Sequence, residues 1–189
     1  MFDQISDNQM KVDEYLTIIQ DRILAPIQKT EIGDFCTATL LLLFAAIDGL
    51  GKLMHPETKA GPNERIRCFL DSMGGDYSVR KKELLNLRHS LVHNAINVES
   101  FLSHTKMGAD QHLKKMGSAE FIYVNTMSMY RDFVDTFQRF RTDVRDDQIK
   151  LQSAANRLEW REDNTWNSQE APDEAVPSPP PPVEFIYAK

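Results

Sequence analysis

The chain has 189 residues, of which 41% are hydrophobic and 26% charged, and a net charge of −6. That length suffices for one domain with its own core plus an appendage. The acidic balance argues against a general nucleic-acid coat. The opening Met1-Phe2-Asp3-Gln4-Ile5-Ser6-Asp7 lacks a basic-then-apolar signal pattern. The longest apolar run, Leu40 to Ile47, is too short for a bilayer and is stopped by Asp48. A cytoplasmic protein with no membrane contact is therefore expected. Cys36 and Cys68 lie in apolar runs without metal spacing and read as reduced core thiols.

Val12, Tyr15, Leu16, Ile19, Ile23 and Ile27 recur on one side of an amphipathic helix from about Met10 to Gln28, which Pro26 should kink or end near Ala25. A second helix runs from about Asp34 to Met54. It is apolar nearly all round, so it should be the most buried element, with Asp48 as a candidate buried acid. Pro62 opens a short third helix carrying Ile66, Phe69, Leu70 and Met73, and Gly74-Gly75 ends it. Ser78 can cap a fourth helix, which contains Leu84, Leu87, Leu91 and Ala95 at three-and-four spacing.

Beyond Asn94, Ile96, Val98, Phe101 and Leu102 read as a strand and Phe121 to Val124 as another, forming a small hairpin or extended flap. The loop between them carries His104, Lys106, His112, Lys114 and Lys115. From about Thr126 a single long helix is expected, with Tyr130, Phe137, Val144, Leu151 and Leu158 at a seven-residue repeat. Its second half, where Asp147 interrupts the stripe, should project or pack on a second subunit. Residues 1–162 thus form a helical domain, and residues 163–189 an acidic, proline-rich tail. Near its end, Glu184-Phe185-Ile186-Tyr187 repeats Glu120-Phe121-Ile122-Tyr123.

The chemistry concentrates on the fourth helix. From Val79 to Lys115 there are seven Lys or Arg against three Asp or Glu, and four of the five histidines. Arg88 falls close to the middle of the apolar stripe, where a guanidinium that cannot lose its charge needs a carboxylate, a phosphate or a partner surface. His93, five residues on, is suited to moving protons near neutral pH. Arg80, Lys81 and Lys82 occupy the first turn, where the helix dipole disfavours cations. Either Glu83 and solvent compensate, or these cations meet an anion. Together with Asn94 they are candidate phosphate ligands. His89 and His93 stand at a spacing that two imidazoles can use to share a metal, but no Glu lies between them and no third ligand is evident. Neither a metal nor another cofactor is expected.

At Arg88-His89-Ser90-Leu91-Val92-His93 the sequence resembles the HEPN superfamily, whose motif is Arg, four to six residues, then His. The polar His89 after the Arg and Glu83 five residues before it also match the pattern. Leu87 stands where nuclease members place Lys. Ala95 stands where toxin members paired with small nucleotidyltransferases often have Tyr, which argues against that mode of regulation. The resemblance covers about residues 8 to 160. It implies an all-α, antiparallel bundle of four to five helices that dimerises so that two motif helices share a cleft. It also implies metal-independent cleavage of single-stranded RNA, with the 2′-hydroxyl attacking the adjacent phosphate. Arg88 would hold the phosphate and His93 would act as general acid or base, with His89, Glu83 and Asp48 in support. Toxin- and defence-related members suggest an inhibitory protein partner. On an ideal helix Arg88 and His93 point about 140° apart, so either the helix ends near His93 or a second subunit supplies half the site. The alternatives are a non-catalytic HEPN module that binds nucleotide, RNA or protein, and a helical dimerisation scaffold.

Overall fold

The computed structural model describes residues 2–29, 36–94, 100–103, 109–115 and 121–159. The tail 163–189, Ile96, Val98, His104, Lys106 and the side chain of Asn94 lie outside the described residues. The fold is all-α, a helical bundle. Helix α1 (Phe2–Ile19) buries Val12, Leu16 and Ile19, the face its periodicity marks. Of the kink or stop expected near Ala25, the helix shows a local disturbance and no stop. A π-helical turn, Gln20–Leu24, lets the Ala25 N–H reach back to Gln20 O, and the chain continues as α2 (Ala25–Lys29). A widened turn accommodates the donor that Pro26 lacks without breaking the rod.

Helix α3 (Cys36–Met54) buries Leu40, Leu43, Phe44, Ala46, Ile47, Leu50 and Leu53, and packs against helices both before and after it in the chain. Its 19 residues are long and apolar enough to cross a membrane, and half of that stretch is buried inside the bundle. Helix α4 (Pro62–Met73) is its closest companion. Glu64 Oε2 accepts the Gly61 N–H at 2.8 Å to cap its start, and Gly74 and Gly75 end it at φ of 74° and 52°. Arg65 Nε and Nη2 donate to the two Asp48 oxygens at 2.7 and 3.0 Å. Asp48 is therefore a half-buried acid already neutralised across the α3–α4 seam. At Gly51 the two backbones approach so closely that a Cβ would run into the Arg65 carbonyl.

Two short turns of chain precede the motif helix. In α5 (Gly75–Val79), Ser78 Oγ donates to Asp71 Oδ1 instead of capping the next helix. Helix α6 (Lys81–Asn94) starts with Leu84 N–H bonded to Arg80 O at 3.0 Å. The expected hairpin is replaced by a parallel pair, β1 (Ser100–Ser103) with β2 (Ile122–Asn125). The intervening chain is a crossover, as parallel pairing requires. On the way, Leu113 N–H donates to Tyr123 O at 2.7 Å and Tyr123 N–H to Lys114 O at 2.9 Å, an antiparallel bridge to β2.

The single long C-terminal helix is two, α7 (Thr126–Asp146) and α8 (Gln148–Glu159). Asp147 is extended, at φ −121° and ψ 107°, and its Oδ1 accepts the Ile149 and Lys150 N–H groups at 2.9 and 3.2 Å. An Asp that caps a new helix thus ends the old one. The second half does not project. Helix α8 packs on α1, α3 and α7, and Asn8 Nδ2 donates to Gln152 Oε1 at 2.7 Å. Buried Arg157 donates to Leu53 O and Pro56 O at the end of α3, where the negative pole of the helix favours a cation. Cys36 and Cys68 are free and only half-buried, and burial pushes the Cys68 thiol up.

The Gly51 contact yields a stability test. Gly51→Ala should cost about 3 kcal/mol by overpacking, lowering the melting temperature by about 6–12 °C. Gly61→Ala, where a Cβ would meet only Glu64 Oε2 at 3.7 Å, is the comparison. Calorimetry giving equal, small shifts for both would contradict the close approach.

Candidate functional site

Successive residues of α6 step round by about 100°. Leu84, Leu87 and Leu91 are buried, with Leu85 and Ser90 on the flanks of that face. Lys82, Asn86, His89, Val92 and His93 are exposed on the opposite side. Arg88 is half-buried, at the edge of the apolar stripe and not at its middle.

The acids and cations around this helix pair selectively. Arg80 Nη1 donates to Glu83 Oε1 at 3.3 Å, and Lys81 Nζ to both Asp71 oxygens at 2.7 and 2.8 Å. Burial pushes the Asp71 carboxyl up, but the Lys81 and Ser78 bonds outweigh this and hold it below the usual carboxylate range. So Glu83 and Asp71 answer the cationic first turn, Asp48 is taken by Arg65, and neither Glu83 nor Asp48 reaches Arg88. Among the described residues Arg88 has no ion pair or hydrogen bond. His89 and His93 lie side by side with ring centroids 4.4 Å apart. Among the described residues no third side chain completes a metal-ligand set with them. The structure thus brings Arg88, His89 and His93 onto adjoining parts of α6 and gives Arg80, Lys81, Glu83 and Asp48 to structural pairs. Lys82 stays exposed.

A second polar constellation was not singled out from sequence. Tyr77 on α5, His112 on the crossover and Asp132 on α7 line an open pocket of about 330 Å³ beside Gly74, Gly75 and Arg139. The Asn125 N–H donates to His112 Nδ1 at 3.0 Å. That bond requires Nδ1 to be bare, so the ring proton sits on Nε2. Nε2–H then donates to Tyr77 Oη at 2.7 Å, and the Tyr77 hydroxyl donates to Asp132 Oδ2 at 2.8 Å. Desolvation lowers the His112 pKa to about 4, although Asp132 and Asp76 oppose the shift. Burial, and then Asp132, raise the Tyr77 hydroxyl well above its ordinary value. These three residues are 35 and 55 positions apart in the chain and share no motif, so only the fold brings them together.

Comparison with family models, curated proteins and solved structures returns no match. The Tyr77 hydroxyl serves two partners, which makes its removal informative. Tyr77→Phe should cost about 1–3 kcal/mol, because it leaves the His112 Nε2–H and the Asp132 carboxylate short of a bond while keeping the ring. Urea denaturation measures this, and a loss below about 0.5 kcal/mol would show that the chain of bonds contributes nothing.

Proposed function

We propose that this protein is a HEPN-type endoribonuclease that cleaves single-stranded RNA without metal, at a composite site made by two copies of the chain. One observation carries the reading. Arg88 is a half-buried cation with no carboxylate among the described residues, although the cations beside it at positions 80 and 81 each have one. A guanidinium left unpaired at the edge of an apolar face, next to two exposed imidazoles, suits a phosphate diester.

In the proposed reaction the substrate's 2′-oxygen attacks the adjacent phosphorus as the bond from phosphorus to the 5′-oxygen breaks. The 2′-hydroxyl proton passes to a base, the leaving oxygen takes a proton, and a 2′,3′-cyclic phosphate remains. His93 supplies acid or base catalysis, and Arg88 holds the phosphate oxygens as charge builds on them. His89, against the His93 ring, orients it or stacks on a base. Lys82 and Asn86 extend the same exposed face along the RNA. Arg88 and His93 diverge on one helix, so each protomer contributes one of the two groups to a given phosphate. Single-stranded RNA suits such a site because its bases and 2′-hydroxyls can turn into line. A cytoplasmic setting and an inhibitory protein partner go with this reading.

The test is incubation of the purified protein with single-stranded RNA in the presence of a chelator. Cyclic-phosphate ends should form, and Arg88→Ala and His93→Ala should each lower the rate by about 100-fold or more. Mixing the two variants should restore part of the activity, since one mixed site then holds both groups. Binding without cleavage would replace the nuclease with a non-catalytic RNA-binding module, the reading to which Leu87 in the motif also points.

A further inference from the structure

We propose that the bond from the Asn125 N–H to His112 is an acid-released latch, in which protonation of His112 frees residues 109–115 from the junction of β2 and α7. The geometry is directional. His112 Nδ1 accepts the backbone N–H of Asn125 at 3.0 Å. Asn125 is itself the N-cap of α7, its side chain accepting the Ser128 N–H at 2.9 Å. A second proton on the ring can go only to Nδ1, because Nε2 already carries one in its bond to Tyr77. The imidazolium would then set a donor against the Asn125 donor, and the bond that fastens the crossover to the helix start is lost.

The groups facing His112 decide when this happens. From α5 they are Asp76 and Tyr77, and from α7 Asp132, with Asp135 and Arg139 lining the same pocket. On its own segment, Asp110, Lys114 and Lys115 are exposed. Burial opposes the charged ring more strongly than the carboxylates Asp132 and Asp76 favour it. Because the folded form holds the ring below its ordinary value, the latch is fully engaged above about pH 6.5. It weakens as pH falls and is lost on passing through about pH 4.

What the latch restrains is poised to move. Leu113, next to His112, is buried at 2% exposure and adopts φ 61°, a left-handed conformation costly for a branched side chain. Its own N–H bond to Tyr123 O and the bond from the Tyr123 N–H to Lys114 O hold it there. Release of His112 removes the neighbouring anchor and lets that strain relax, so the segment has two arrangements for protonation to choose between. The Nε2–H bond to Tyr77 survives protonation and keeps the ring tied to α5, which only Arg80 separates from α6.

Amide hydrogen exchange tests this, with rates corrected for the intrinsic pH dependence. Between pH 7.5 and 4.5 the protection of Leu113, Tyr123 and Asn125 should fall at least about tenfold, while amides in the middle of α3 keep theirs. In His112→Asn, whose side-chain oxygen can accept the Asn125 N–H but cannot take up a proton, protection should be independent of pH. Loss of protection equal to the wild type in this variant would assign the effect to carboxylates and overturn the proposal, as would unchanged protection in the wild type. Should His112→Asn fail to fold, the carbon resonances of the wild-type His112 ring decide. The latch requires their titration to coincide with the loss of protection, and a separation of the two would refute it.

Discussion

The constraint on which the structure rests is the burial of α3. A helix apolar on nearly every side cannot be satisfied by one neighbour, and α4, α6, α7 and α8 each pack against it. The closest of these contacts is set by the absence of a side chain at Gly51, where the α4 backbone comes against α3. The adjoining Asp48–Arg65 pair fixes the register of the two helices with a planar two-point bond. Arg157 then closes the same end, placing a buried guanidinium against Leu53 O in the last turn of α3 and Pro56 O just beyond it. α8 therefore belongs to the core, although its sequence carries enough charge to suggest an outlying helix.

Much of this was legible in the chain. The buried helix, the start of α4 at Pro62, its end at Gly74-Gly75 and the start of α7 at Thr126 follow from periodicity and from Gly and Pro. What the pattern could not show was geometry set by distant partners. The seven-residue repeat through Phe137, Val144 and Leu151 persists across Asp147 because both helices turn the same stripe towards one core. A continuous stripe therefore concealed a break. The strands at Ser100–Ser103 and Ile122–Asn125 were visible as apolar segments, but their relative direction depends on the path of the crossover, which no local residue encodes. Pro26 marks a real disturbance in the first helix, displaced one turn earlier and absorbed as a π turn.

The candidate site divides along the same line. The residue types on α6 could be read directly, and their exposure follows from the 3.6-residue period, with Arg88 moved from the centre of the buried stripe to its edge. Which cations were already answered could not be read. Lys81 finds Asp71 ten positions earlier, and Arg65 finds Asp48 seventeen positions earlier, pairings that only the packing of helices creates. These exposed and half-exposed pairs each contribute little stability. Their consequence is selective: they answer Arg80 and Lys81 at the beginning of α6, while Arg88 two turns on has no such partner among the described residues.

The two kinds of histidine in the protein illustrate what that selection means. His112 is partly buried, its tautomer fixed by a backbone donor on one nitrogen and a tyrosine hydroxyl on the other. A ring so placed cannot exchange protons with a substrate without dismantling its surroundings. It suits a structural latch, and its pocket sets three carboxylates, Asp76, Asp132 and Asp135, against the single guanidinium of Arg139. His93 is exposed in the last turn of α6, touching His89 and bonded to nothing that fixes either nitrogen among the described residues. A ring with that freedom can present a proton or an acceptor to a group brought against it. The cation available to hold an anion there is Arg88, which has no carboxylate partner among the described residues, whereas Arg80, Lys81 and Arg65 each have one. The case for phosphate chemistry on α6 rests on that asymmetry more than on the spacing of two residues in the chain.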